Sequence, residues 1–235
     1  AVWSAATDNV GVVTGSLTSG DSTDDTALVL SGTNESGSSV TVYNGTTLLE
    51  AATVSGTDWS YTATVANGTT YQFNVKETDA AGNTSAATSN FAVTGDTTAP
   101  TVSSVSISSA SGVQNSLLNA GDVVSVTATF SENVTRTGSP QFTLNVGGTN
   151  RTATYGSGSG GTSLVFQYTI QAGESDADGI SIGANALALN SGTIRDAAGN
   201  NATLTHSAVS ANASYKVDTT APSAVRSAAT DNVGV

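Results

Sequence analysis

Short clusters of carboxylates are the part of this sequence best suited to chemistry. In the stretch QAGESDADGIS, the order Asp176, Asp178 and Gly179 resembles the start of a calcium-binding loop, in which the glycine allows a sharp turn. Ca2+ takes about six to eight oxygen ligands, and carboxylates are prominent among them. The full EF-hand pattern and the glycine-rich nonapeptide repeat are both missing. We therefore expect Ca2+ as the cofactor, bound by clustered acids rather than by an EF-hand.

The sequence lacks the residues and motifs that other kinds of catalytic or binding site require. The chain has no Cys, no Met and one His, which removes most nucleophilic and transition-metal chemistry. Metalloprotease, serine-hydrolase and phosphate-loop motifs are absent, and the glycine-rich stretch 156–161 is followed by a predicted strand rather than a helix. We expect His206 to be an exposed strand residue, and we expect no enzymatic activity.

The charge balance limits the partners. Eighteen acidic residues against six Lys and Arg give a net charge of −12. Such a chain repels phosphate backbones and anionic lipids, so we expect no nucleic acid partner, no membrane insertion and a monomer. Acidity is also a common solubility device, and this alternative stays open. The lack of Cys fits either a reducing compartment or an exterior protein stabilised in another way, for example by metal.

The elements that position the acids are predicted to be strands. The sequence has 25 Gly, three Pro and only 10% charged residues, and no stretch shows a long helical period. The opening AVWSAATDNVGV recurs at 224–235 as AVRSAATDNVGV, and DTTAP occurs at both 96–100 and 218–222. Because Pro disfavours helix for the residue before it, we interpret DTTAP as a stiff, extended linker. The chain is thus predicted to hold one period of a tandem array.

Each half of the period is predicted to be a seven-stranded, Greek-key β-sandwich. The predicted boundaries are a first domain at 1–95, a linker at 96–100, a second domain at 101–217, and a linker with the next repeat's first strand at 218–235. The strands predicted in the first domain are 1–6, 27–33, 39–43, 47–54, 59–65, 71–79 and 85–93. Those predicted in the second are 101–109, 123–130, 141–147, 152–156, 162–170, 186–196 and 202–217.

Loops of such a sandwich alternate between its two ends, which predicts two acidic joints. At the joint within the chain, the first domain and its linker bring Asp8, Asp21, Asp24, Asp25 and Asp96. Glu132 and Asp196 face them from loops of the second domain. The joint to the next repeat is predicted to gather Glu174, Asp176, Asp178 and Asp218, faced by that repeat's equivalents of Glu35 and Asp79. Crowded carboxylates repel one another unless a cation binds them, so we expect these residues to be metal ligands.

Two alternatives concern single residues. Asp79 and Asp196 both begin the sequence DAAGN, where an aspartate commonly bonds the backbone amides of its own turn. Trp59 opens a strand and is expected in the core, whereas Trp3 is replaced by Arg226 in the recurrence, so no repeated function demands an aromatic ring there.

Residues 31–100, running from SGTNESG to DTTAP, resemble the bacterial immunoglobulin-like repeats of giant surface adhesins, the biofilm-associated and RTX-type proteins exported by type I secretion. The second half, with VSVTATFSENV, YTIQAGESDADGISI and RDAAGN before VDTTAP, resembles a second immunoglobulin-like subtype from the same arrays. The likeness covers nearly the whole chain.

The resemblance implies two tandem immunoglobulin-like sandwiches joined end to end. It also implies an extender at the bacterial cell surface, outside the cell, that holds a distant ligand-binding domain away and is stiffened by interdomain calcium. The neighbouring repeats of the same chain would then be its partners. A carbohydrate- or protein-binding accessory module is the alternative function.

Overall fold

Strands are the only regular elements that a computed structural model shows in residues 1–224, the part of the chain that the structure describes. The strands of the N-terminal half are β1 Val2–Asp8, β2 Gly15–Ser16, β3 Ser22–Thr23, β4 Ala27–Thr33, β5 Ser39–Asn44, β6 Thr47–Ala51, β7 Thr53–Ser55, β8 Asp58–Thr64, β9 Thr70–Thr78 and β10 Phe91–Gly95. Those of the C-terminal half are β11 Val102–Ala110, β12 Leu117–Leu118, β13 Val123–Thr137, β14 Gln141–Val146, β15 Thr149–Ser157, β16 Gly161–Thr169, β17 Ser175–Asp176, β18 Ser181–Ala188, β19 Thr193–Arg195 and β20 Lys216–Asp218.

The N-terminal half has two five-stranded sheets. One has the order β2-β1-β4-β8-β7 and the other the order β3-β10-β9-β5-β6. Alternate residues of these strands point inward, as a sheet with one dry face requires. Val40, Val42, Phe73 and Val75 are fully buried, and Trp59 is buried with 2% of its surface exposed. The prediction that Trp59 belongs to the core is confirmed.

The C-terminal half curls one sheet around its core. The strand order β11-β13-β16-β15-β14-β18 is continuous, because β15 pairs with both β16 and β14. The rings of Phe142 and Phe166 meet edge to face inside it, with centroids 4.9 Å apart. The buried hydrophobic residues fall into two clusters, one from each half. The prediction of an all-β, sandwich-like fold is confirmed, while the exact domain boundaries stay a prediction.

Each half closes with a short parallel pair beside its linker. In the N-terminal half β3 runs parallel to β10, pairing Thr23 with Gly95. In the C-terminal half β12 runs parallel to β20 in the same way, pairing Leu118 with Val217. The loop after the first strand of each half is therefore held next to the point where the chain enters DTTAP.

Several predicted strands are wrong in extent. The predicted strand 47–54 divides into β6 and β7, which belong to different sheets, and 186–196 divides into the end of β18 and β19. The second strand of the C-terminal half continues to Thr137, so Glu132 lies in β13 and not in a loop. The predicted strand 202–217 is regular only in β20. The predicted first strand of the next repeat lies almost wholly outside the described residues.

No helix in residues 1–224 has the length and apolar character that crossing a membrane requires. His206 is half-buried rather than fully exposed, because its ring lies 5.5 Å from that of Phe142 and its Nε2 accepts the Ala186 amide.

Candidate metal site at the junction of the two halves

Three carboxylates from separate parts of the chain converge where the two halves meet. Asp96, Glu132 and Asp196 each place one carboxylate oxygen within 4.8 Å of the other two. Asp96 directly follows β10, and Asp196 directly follows β19. Glu132 lies where β13 leaves its partner β16, between the paired residues Thr129 and Val134. Three of the residues predicted for the joint within the chain are thus brought together.

The Asp196 side chain is fixed by its own turn. Its Oδ1 accepts the backbone amides of Gly199 and Asn200 at 2.8 and 2.9 Å, and its Oδ2 accepts the Asn200 side-chain amide at 2.8 Å. Asp79 is also fixed by its own DAAGN turn, where it accepts the backbone amides of Ala81 and Asn83 and the Asn83 side-chain amide. The turn interpretation therefore holds for both aspartates, and Asp196 belongs to the carboxylate group as well.

Asn200 ties this turn to the linker. Its side-chain amide donates to the Asp96 backbone carbonyl at 2.9 Å as well as to Asp196. The Asp96 backbone amide in turn donates to the Thr23 carbonyl at 2.8 Å. The backbone at Asp96 is thereby held from both halves. Sequence reasoning missed Asn200, although its recurrence as Asn83 in the other DAAGN was a usable signal.

The N-terminal half contributes the other aspartates predicted for this joint, which are Asp8, Asp21, Asp24 and Asp25. Asp8 and Asp25 are buried, yet both are satisfied by local bonds: Thr23 donates its hydroxyl to Asp8 at 2.6 Å, and the Ala27 amide donates to Asp25 at 2.8 Å. Asp24 differs, because its buried Oδ1 has no hydrogen-bond partner. Asp21, by contrast, is exposed and bonded to Thr18, so its prediction as a member of the joint is not supported by any contact with the group.

The electrostatics of the junction oppose full ionisation. Burial, and then the Asp96 and Asp196 carboxylates, raise the pKa of Glu132 above its ordinary value. Burial, and then the Asp8 carboxylate, raise the pKa of Asp24, with smaller contributions from Asp196 and Asp25. An ionised carboxylate here is thus less favourable than in water. A cation or a proton would relieve this cost.

An apolar contact accompanies the charged one. Gly199 has φ +103°, and a Cβ added to it would lie 3.1 Å from Cγ2 of Val13. Val13 belongs to the DNVGVV loop that follows β1, so this loop of the N-terminal half packs directly on the DAAGN turn of the C-terminal half. Val13 stays 45% exposed, and sequence reasoning missed its role.

Two of the four acids predicted for the second joint, Glu174 and Asp176, have structural roles. The carboxylate of Glu174 is buried, pairs with Arg151, and accepts the Tyr168 hydroxyl at 2.5 Å and the Gln171 amide at 2.8 Å. Asp176 is buried and uses both oxygens to bind the amides of Gly147 and Gly179 at 2.8 Å. Both carboxylates are thus held by bonds within the C-terminal half, and their role as metal ligands stays a prediction. Arg151 and Tyr168 were not predicted to lie here.

The remaining predicted ligands are dispersed. Asp178, Asp218 and Glu35 are exposed, and Asp79 lies in its turn at the opposite end of the N-terminal half from Asp96. The structure brings none of these four into a carboxylate group within residues 1–224. Their prediction as metal ligands therefore depends on a neighbouring repeat and stays a prediction.

The raised pKa values predict a pH effect in metal-free solution. Stabilisation from a group with a raised folded-state pKa is fully present below its ordinary pKa and is lost as the pH rises through the raised value. In EGTA, lowering the pH from about 7 to about 5 should therefore stabilise the junction of the unmodified chain more than that of Glu132→Gln. Thermal unfolding of the two proteins across this range measures the difference, and parallel pH profiles would contradict the assignment.

Comparison with known proteins finds a family match for the N-terminal half. Residues 4–97 match the family model described as bacterial Ig-like domain. No curated protein matches the chain.

Two solved structures have some likeness to it. One, from Clostridium thermocellum, contains CbhA fibronectin(III)-like modules; it is 15% identical with a TM-score of 0.35, over 86% of this chain and 90% of that chain. The other is the SGBP-B protein of a Bacteroides ovatus mixed-linkage glucan utilization locus in complex with a mixed-linkage heptasaccharide, 18% identical with a TM-score of 0.26, over 90% of this chain and 46% of that chain. This chain thus spans less than half the length of the Bacteroides protein.

Proposed function

We propose that this chain is a structural extender in a bacterial surface adhesin, stiffened by Ca2+ bound between its two halves. The observation that carries this proposal is the convergence of Asp96, Glu132 and Asp196, which come from the linker and from the C-terminal half. A cation bound there would hold the linker to the C-terminal half and so fix the angle between the two sandwiches. The bacterial Ig-like match of residues 4–97 supports a location outside the cell.

The donor set suits calcium. Carboxylate and carbonyl oxygens are the ligands of hard cations, and Ca2+ accepts irregular geometry and keeps waters where a site is open. Asp96 and Glu132 are only partly buried, which leaves room for such waters. The buried Oδ1 of Asp24 has no hydrogen-bond partner, so this oxygen could bind a cation without giving up a hydrogen bond. The absence of Cys from the sequence, and of His from the carboxylate group found in residues 1–224, fit a hard cation rather than zinc.

The structure offers less support to a carbohydrate-binding module. Sugar recognition by stacking needs an open aromatic face. Trp59 is buried, and the ring of Trp3 is stacked on Phe91 with centroids 5.1 Å apart. The proposed role is therefore mechanical and non-catalytic, with neighbouring repeats as the partners.

Two matched variants test the proposal. Asp196→Asn and Asp79→Asn remove a charge from turns of identical sequence, but only Asp196 faces the junction. We expect the unmodified chain and Asp79→Asn to gain similar thermal stability on adding Ca2+, and Asp196→Asn to gain much less. In EGTA, Asp196→Asn should be the less destabilising of the two, because it also relieves repulsion with Asp96 and Glu132. An equal gain in thermal stability on adding Ca2+ in all three proteins would contradict the proposal.

A further inference from the structure

The C-terminal half presents exposed apolar residues where the chain leaves it. Val113 is 37% exposed and Leu117 is 40% exposed, and we call these two residues the exit face. Leu117 pairs with Lys216 in the parallel pair that precedes Asp218. Whatever follows the linker 218–222 therefore emerges beside the exit face.

The N-terminal half shows what such a loop does. There the equivalent loop precedes β3, which pairs with β10 in the same parallel manner beside Asp96. Gly11 of this loop packs against the Asp24 carboxylate, as Gly112 packs against that of Asp122. Val13, two residues after Gly11, lies on Gly199 of the following half. Val113 directly follows Gly112, so it matches Val12 and lies one residue before the place of Val13.

A matching acceptor lies at the other end of the chain. The turn Asp79–Asn83 repeats the turn Asp196–Asn200 in sequence and in the two bonds from its asparagine to its aspartate. Gly199 is covered by Val13, whereas a Cβ added to Gly82 would meet nothing within 4 Å. The turn at 79–83 is thus an open copy of a turn that is covered inside the chain.

We propose that the exit face packs against the Asp79–Asn83 turn of a following copy of this chain. The occupant is a second copy because the recurrence at 224–235 starts a new copy directly after the linker. The inference rests on the proposed function in that it treats the chain as one period of an array. It adds a second, chemically different joint to the one inside the chain.

This second joint is more apolar than the first. β1 ends at Asp8, whereas β11 ends at Ala110. Thr23, which bonds Asp8, is replaced in the strand pairing by Leu118. Asp24 and Asp25, which follow Thr23, correspond to Asn119 and Ala120, so Asp122 is the one carboxylate that the loop 111–122 brings to this joint. Fewer charges need neutralising there, so the joint between copies holds without Ca2+, and the array alternates calcium-dependent and calcium-independent joints.

A chain of two copies, residues 1–223 followed by 1–224, tests this. The sequence has no Cys, so cysteines introduced at the exposed strand positions Thr62 and Thr154 carry the only spin labels. A label pair within one copy reports the joint inside the chain. Thr154 of the first copy with Thr62 of the second reports the joint between copies. Pulsed electron spin resonance measures both distance distributions in Ca2+ and in EGTA.

We expect the distribution between copies to stay narrow in EGTA, and to widen about twofold in the double variant Val113→Ser with Leu117→Ser, because the halves would then be joined by a free linker. Leu48→Ser with Leu49→Ser, an exposed apolar pair elsewhere, is the control and should leave it narrow. A distribution that is broad in both solutions, narrow only with Ca2+, or unaffected by the exit-face variant would overturn the inference. Failure of the proposed function would be seen separately: the distance distribution between the two labels within one copy would then be the same in Ca2+ and in EGTA.

Discussion

Saturating Ca2+ is expected to raise the free energy of unfolding of this chain by about 2.7 kcal/mol when the free ion is about 100 times its dissociation constant. The physical reason is that the site exists only in the folded junction, where Asp96, Glu132 and Asp196 share a volume less than 5 Å across. In EGTA the same carboxylates repel one another, and this repulsion adds to the effect of burial in raising the pKa of Glu132. Thermal and urea unfolding at fixed pH, with Ca2+ and with EGTA, measure the difference.

Mg2+ at the same concentration is the control for this first prediction. Because Mg2+ demands a small octahedral site and dehydrates reluctantly, it should stabilise the chain less than Ca2+ does. An equal gain with both ions would indicate general screening of the −12 charge rather than a site. No gain with either ion would remove the basis for a stiffened junction.

Replacing Glu174 by Gln is expected to destabilise the C-terminal half by about 1.5–3 kcal/mol, the usual worth of hydrogen bonds to a charged group, without changing the calcium response. The buried carboxylate pairs with Arg151 and accepts from Tyr168 and Gln171, so an amide cannot replace all of these bonds. Burial, and then the hydrogen bond to Glu174, raise the pKa of Tyr168 to about 12. The variant should therefore also lower the tyrosine titration midpoint, which ultraviolet absorbance records.

Asp178→Asn is the matched control for Glu174→Gln. Asp178 lies four residues further along the same acidic stretch but is exposed, so its replacement should change stability by less than about 0.5 kcal/mol. If Glu174→Gln instead abolished the calcium response while leaving stability intact, Glu174 would be a ligand rather than a structural anchor.

The alternation of apolar and polar residues was enough to predict the fold class. Val40, Val42 and Phe73 follow that period and are all buried. The division of 47–54 into two strands was not predictable from this alternation, because the apolar and polar residues alternate in both strands. What divides them is tertiary: the Ala52 amide donates to the Val40 carbonyl, and the chain then crosses to the other sheet.

The candidate site was predictable where topology decides it. Assigning loops to the two ends of a sandwich placed Asp96, Glu132 and Asp196 at one joint, and the structure brings them together. For Glu174 and Asp176 the structure shows bonds within the C-terminal half, which the sequence did not predict, and their role as metal ligands stays a prediction. Their partners Arg151 and Gly147 lie more than 20 residues earlier in the chain, so local spacing carried no sign of them.

Small-angle X-ray scattering of the unmodified chain, in Ca2+ and in EGTA at the same pH, is the most direct test of a calcium-stiffened extender. Two sandwiches held end to end should give a maximum dimension on the order of 80 Å in Ca2+, since strands rise about 3.3 Å per residue. In EGTA the distance distribution should become shorter on average and broader. Superimposable curves in the two solutions would contradict the account, because calcium would then have no influence on the angle between the halves.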